Sequence, residues 1–247
     1  MEFSARHCAL MLDLARAAIR RALAGDEPVF PDVRELASRA ALATALQAHV
    51  VSPTAGDMLG TAAAVADTGS SAAPPSDLGW DPLADATLHQ AAGCFVTLHT
   101  LHGRRLRGCV GRLDAAKPLL EAIFATSLSV LEDPRFRYSP IYLEELPELE
   151  LEISVISPLR PVEHPLAFEL LSEGIYLTIG RRSGCFLPQV ARETGWTREQ
   201  LLERLCTEKM GLPSSAWQNA EAQLSVFSTV MVGPEPFVPA GSMIDRA

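Results

Sequence analysis

The sequence predicts an α+β fold: a largely antiparallel sheet with flanking helices. Two observations carry that expectation. Helical and strand-like periodicities are interleaved along the chain, and two pairs of strand-like runs are joined by turns short enough to make hairpins. Residues 5–24, ARHCALMLDLARAAIRRALA, are helix formers with a broad apolar face, with Ser4 at the N-cap position and Gly25 where the helix would end. A second helix is expected over residues 32–48. Residues 52–79 are Ala, Ser, Gly and Pro with almost no large apolar side chains, so they read as a mobile loop or linker. Residues 93–113, GCFVTLHTLHGRRLRGCVGRL, form a hairpin turning at His102 and Gly103.

Residues 115–131 place Leu119, Ile123, Phe124, Leu128 and Leu131 at helical spacing, and the turn EDPRF follows. ELELEISVI, residues 148–156, alternates acidic and apolar residues, which predicts a strand with one wet face. GIYLTIG and CFLP make a second hairpin around RRSG. Thr197 and Gln200 have the spacing of a capping box for a helix reaching about residue 210, closed by Gly211 and Pro213. QLSVFSTVMV, residues 223–232, is the last strand. The expected organisation is therefore a helical segment over 1–50 packing on the main domain, a flexible insertion over 51–90, an α+β domain over 91–233, and a frayed tail over 234–247 containing Pro234, Pro236 and Pro239.

Composition limits the function classes. With 30 acidic and 21 basic residues the 247-residue chain carries a net charge of −9, against the broad basic surface of a sequence-independent nucleic-acid binder. The N-terminus has no signal-peptide pattern, and no uncharged apolar run is long enough to span a membrane. Five scattered cysteines without a CxxC pair fit reduced thiols in the cytoplasm. The six histidines show no ligand spacing, and the glycine patterns of dinucleotide and P-loop sites are absent, so neither a metal nor a cofactor is expected.

Four motifs occur in order: LRGCVG at 106–111, EDPRF at 132–136, FLPQVARETGW at 186–196 and LLERLCTEKMGLP at 201–213. Together they resemble the AMMECR domain family, well over residues 91–232 and weakly over 8–50. The resemblance implies an α+β protein with a larger and a smaller lobe. It also implies linkage to a Memo-type protein, similar to metal-dependent dioxygenases, and to a radical SAM enzyme. It implies no defined reaction. The sequence departs from the family pattern at Arg112, where a small hydroxyl residue is common, and at residues 52–90, which look inserted.

Cys109 is the candidate nucleophile. Gly108 and Gly111 would let the backbone fold tightly against a ligand, and Arg107 and Arg112 would favour the thiolate. The same residues also suit a small apolar thiol on a central strand, with glycines admitting a close neighbour. Arg107, Arg112 and Arg135 are candidate binders of a small anionic ligand, since guanidinium groups hold carboxylate and phosphate bidentately. Asp133 before Pro134 is a turn former whose side chain can satisfy a nearby N–H, with Arg135 free to pair with an acid; Phe136 and Tyr138 read as core, as do the thiols of Cys94, Cys185 and Cys206. Three functions follow: an accessory or substrate-binding component presenting LRGCVG at a cleft, a cysteine-dependent enzyme, or an interaction scaffold.

Overall fold

The structure, a computed structural model, describes residues 2–38 and 80–238. The first helix, α1 (Ala5–Leu23), begins in a reciprocal cap: Ser4 Oγ accepts from the His7 N–H, and His7 Nδ1 accepts from the Ser4 N–H. Its apolar stripe, including Leu10, Met11, Leu14 and Ala18, is buried. The expected second helix begins at residue 33 and is described to residue 38; its remainder, and residues 51–79 of the expected insertion, lie outside the described residues.

Residues 80–90 are folded, contrary to the expectation of flexibility. Asp85 caps the short helix α2 (Ala86–His89), accepts from the Trp80 indole and bonds His7 Nε2 at 2.8 Å, while Leu88 is fully buried. This polar knot had no apolar periodicity to announce it.

The hairpin of β1 (Gly93–Thr100) and β2 (Leu106–Arg112) is followed by helix α3 (Leu119–Ser129) and by β3 (Leu149–Ile156). The short β4 (Arg160–Pro161), the hairpin β5 (Gly174–Ile179) and β6 (Arg182–Phe186), helices α4 (Pro188–Thr194) and α5 (Arg198–Arg204), and β7 (Ala222–Phe227) come next, before β8 (Thr229–Pro236). Two four-stranded antiparallel sheets result, ordered β2-β1-β3-β8 and β4-β7-β5-β6.

Each sheet owns a core, which gives the two lobes. In the larger lobe Val96, Leu98, Leu151, Ile153 and Val232 pack under α1 and α3. In the smaller, Ile175, Leu177, Leu224 and Val226 pack under α4, α5 and the wide turn over 205–209, which buries Cys206. The chain leaves the larger lobe after β3 and returns before β8, so the expected strand over 223–232 divides at Ser228 between the two sheets. The crossings are pinned together: the Ser157 N–H donates to the Ser228 carbonyl and the Ser228 N–H to Ser157 Oγ, both at 3.0 Å.

Two further expectations are corrected. Of the tail expected to fray over 234–247, residues 234–238 are folded, and residues 239–247 lie outside the described residues. Buried Arg16 donates to Glu235 and to the Pro236 carbonyl, the Phe237 N–H reaches the Leu149 carbonyl at 2.7 Å, and Phe237 is fully buried. The alternating face of β3 is not wet either. Glu152 and Ser154 are 9% and 2% exposed, because β3 is an interior strand and the smaller lobe covers its second face.

Candidate functional site

LRGCVG forms β2, the edge strand of the larger sheet. Opposite Thr97, Cys109 turns its backbone N–H and carbonyl outward, where no strand follows. EDPRF takes the place of that missing strand. Asp133 Oδ2 accepts from the Cys109 N–H at 2.9 Å, and Arg135 Nη2 donates to the Cys109 carbonyl at 2.9 Å. Asp133 Oδ1 also accepts from the Arg135 backbone N–H and from its Nε, both at 3.0 Å. The two motifs are therefore one device, a carboxylate–guanidinium clamp holding both polar groups of a single peptide position. Burial of Asp133 raises its carboxyl's pKa, but the Arg135 guanidinium and the N–H donors of Cys109 and Arg135 outweigh it and hold the group at about 2.

The clamp accounts for Arg135, and the other proposed anion binders are also engaged. Arg107 pairs with both Glu145 oxygens (Nη2 to Oε2 at 2.9 Å), bonds the Ser139 and Pro140 carbonyls, and lies over the Phe136 ring. Arg112, with its side chain 77% exposed, pairs with Asp114 at 2.9 Å. Gly111 serves packing, since a Cβ there would fall 2.3 Å from Phe95 Cγ, and one on Gly108 would meet Val130 at 3.0 Å. Phe136 is half-buried between Arg107 and Arg135, but Tyr138 is 87% exposed, so the expected core role fails for it: its ring stacks on Arg137 at the surface.

The Cys109 thiol points to the face that meets the smaller lobe, where Thr97 Oγ1 donates to its sulfur at 3.3 Å. Strand register assembles the rest. Cys109, Thr97 and Glu152 form one row across β2, β1 and β3; His99 and Glu150 form the next, and Ser154 sits beside Met231 of β8. Arg104, at the hairpin tip with φ 46°, reaches Glu150 at 3.2 Å and Glu152 at 3.7 Å. Helix α4 faces this surface: Gln189 Nε2 donates to Met231 Sδ at 3.0 Å, and Glu193, one turn on, acts electrostatically on His99 and Glu152. Half-buried Cys185 lies close enough to Cys109 for their charges to interact.

Burial raises the pKa of the Glu152 carboxyl, with Arg104 opposing and Glu150 and Glu193 adding to the rise. Burial lowers that of His99, aided by Arg104 and opposed by Glu150 and Glu193. Burial also pushes up the thiols of Cys8, Cys185 and Cys206, and that of Cys94 to about 11.

Sequence reasoning singled out Cys109 but missed Thr97, His99, Glu150, Glu152 and Gln189 as its neighbours. The alternation of ELELEISVI places two of them, Glu150 and Glu152, on one face. A cavity of about 230 Å³ beside the motif lies on the other side of the strand, lined by Cys94, Val110, Gly111 and Thr126, and does not include Cys109.

A family model for AMMECR1 matches residues 61–232. The chain belongs to the AMMECR1 family. The match starts inside the stretch that the sequence suggested was inserted, in keeping with the folded residues 80–90. Among relatives, Protein MJ0810 of Methanocaldococcus jannaschii is 34% identical over 165 residues, 64% of this chain and 80% of its own. Protein Ta0236 of Thermoplasma acidophilum is 33% identical over 62% of this chain and 76% of its own. The crystal structure of the uncharacterized protein PH0010 from Pyrococcus horikoshii superposes with a TM-score of 0.63 at 25% identity, covering 90% of this chain and 89% of that one. The α+β architecture that the described residues of this AMMECR1-family chain form is thus shared with that protein. No helix among the described residues is long and apolar enough to cross a membrane.

Proposed function

We propose that this AMMECR1-family protein is an accessory, ligand-binding component, with Cys109 and its polar neighbours between the lobes forming the binding face. The observation that carries the reading is the clamp. Two motifs distant in sequence converge to fix one peptide of an edge strand, and the side chain so fixed is a thiol on a polar interlobe surface.

The partners are those implied by the family resemblance, a Memo-type protein and a radical SAM enzyme, with the host cytoplasm as the setting. The exposed Arg105 at the hairpin tip and the exposed Tyr138 and Tyr142 near the clamp are suited to docking, since aromatic and arginine side chains dominate interface energies. Affinity purification of the full chain from its own cells at physiological salt is expected to bring down one of these two partners, and Arg105→Glu to weaken that recovery. Consistent recovery as a lone species would argue for an independent enzyme. That second reading makes Cys109 a nucleophile, and it draws on the Thr97 hydroxyl at its sulfur and on Glu152 in the same row.

A further inference from the structure

The surfaces that meet between the lobes leave polar atoms unmatched. Among the described residues six buried side-chain atoms make no hydrogen bond, and three of them, His99 Nδ1, Glu150 Oε1 and Gln189 Oε1, lie on these surfaces. The first two belong to the larger lobe and the third to α4, so the deficit spans the gap between them. Glu152 is 9% exposed, and the Arg104 guanidinium stands 3.7 Å from it, beyond hydrogen-bond reach. Arg104 lies 3.2 Å from Glu150 Oε1 but without the alignment of a hydrogen bond. Buried polar groups in folded proteins are normally satisfied, and three orphans on two facing surfaces call for a partner from outside the chain.

The chemistry of that partner follows from what is missing. Glu150 and Glu152 can only accept when ionised, and the free Gln189 atom is its carbonyl oxygen. Glu193 adds a third carboxylate against the single guanidinium of Arg104. Carboxylate and carbonyl acceptors thus outnumber the donors and the positive charge that Arg104 brings, while His99 Nδ1 can take either role with its tautomer. Arg104 itself shows that a guanidinium can enter, and its side chain, 53% exposed on a hairpin tip, makes only loose contacts there.

We infer that the interlobe face takes a small ligand through a protonated amine or guanidinium group, seated between Glu150 and Glu152 in the place Arg104 now approaches. This rests on the reading of that face as the ligand site and gives it a substrate class: a small organic cation rather than an anion. The cation completes the hydrogen bonds of Glu150, Glu152 and Gln189, and Arg104 is its internal competitor.

The test is titration of the full-length protein with agmatine and with putrescine, and with glutarate and inorganic phosphate as anionic controls. Calorimetry gives affinity, and the His99 imidazole resonances give location. Agmatine or putrescine should bind and shift His99; the two together distinguish a guanidinium from a simple amine requirement. Glu152→Gln should weaken binding about tenfold or more, the order of one lost charge-assisted hydrogen bond. Arg104→Ala should strengthen it about threefold by removing the competitor. Glu152→Gln keeps the side-chain volume and removes a buried charge among like charges, so its melting temperature should not fall. If glutarate or phosphate shifts His99 and the amines do not, the face is a ligand site but the cation assignment is wrong. If Arg104→Ala weakens amine binding, the competitor role is wrong and the inference is overturned. If none of the four probes moves His99, both the inference and the ligand-site reading fail.

Discussion

Replacing Asp133 by alanine is expected to cost about 3 kcal/mol of folding stability and to free the Cys109 strand edge. Asp133 is 3% exposed and accepts from the Cys109 N–H, the Arg135 N–H and the Arg135 guanidinium. Hydrogen bonds to a charged group contribute about 1.5–3 kcal/mol each, and an orphaned buried N–H costs about 1–3. The loss is tempered because Arg135, half exposed, can turn to water. Asp133→Asn keeps an acceptor and should lose about half as much. Urea denaturation gives both numbers, and faster amide exchange at Cys109 would place the damage.

The same carboxylate sets an acid dependence. Its folded-state value, about 2, lies below the ordinary 3.8. A depressed carboxyl contributes stability above its unfolded value and loses it as pH falls through the folded one. The native protein should therefore lose about 2 kcal/mol between roughly pH 4 and pH 2 from this group. Asp133→Asn should lack that component. An unchanged acid slope in the variant would show that Asp133 is not held by the clamp.

Gly111→Ala is expected to be at least as damaging, by about 3 kcal/mol or more. Gly111 lies opposite Phe95, and an added Cβ would fall 2.3 and 2.4 Å from ring carbons and 2.5 Å from the Cys94 carbonyl oxygen. The ring can swing aside; the carbonyl, held within the β1 strand, cannot. Phe95→Ala in the Gly111→Ala background should recover about 1 kcal/mol, leaving the carbonyl clash in place. Thermal melts of the two single variants and the double variant close the cycle. A stable, native-like Gly111→Ala protein would return the glycine to the role the sequence suggested, that of letting a ligand approach.

Most of the fold was legible because it rests on local patterns. Ser4 before α1, the HG turn of the first hairpin and the Thr197–Gln200 capping box all act within a few residues. The assembly of the site rests on pairings that no local pattern encodes. The Cys109 N–H finds Asp133 because β2 has no outer neighbour, which depends on strand order. Arg107, set in sequence beside a thiol and two glycines, reads as an anion binder; only the folded chain brings Glu145 and two backbone carbonyls to it. The alternation puts Glu150, Glu152 and Ser154 on one face, as the strand register does. Alternation alone makes that face solvent-facing, because the chain's excursion between Ser157 and Ser228, which lays the smaller lobe over it, leaves no mark on the alternation itself.

The most direct measurement is alkylation of the native protein with iodoacetamide, followed by mass spectrometry of all five cysteines. Cys94 and Cys206 are buried, burial raises the thiols of Cys8 and Cys185, and Cys109 stands on the interlobe face under the Thr97 hydroxyl. Cys109 is expected to label first, with Cys94 and Cys206 modified only on unfolding. If Cys109 instead stays unmodified until the protein unfolds, its sulfur is packing, the clamp merely closes a sheet edge, and the interlobe face is not the functional site.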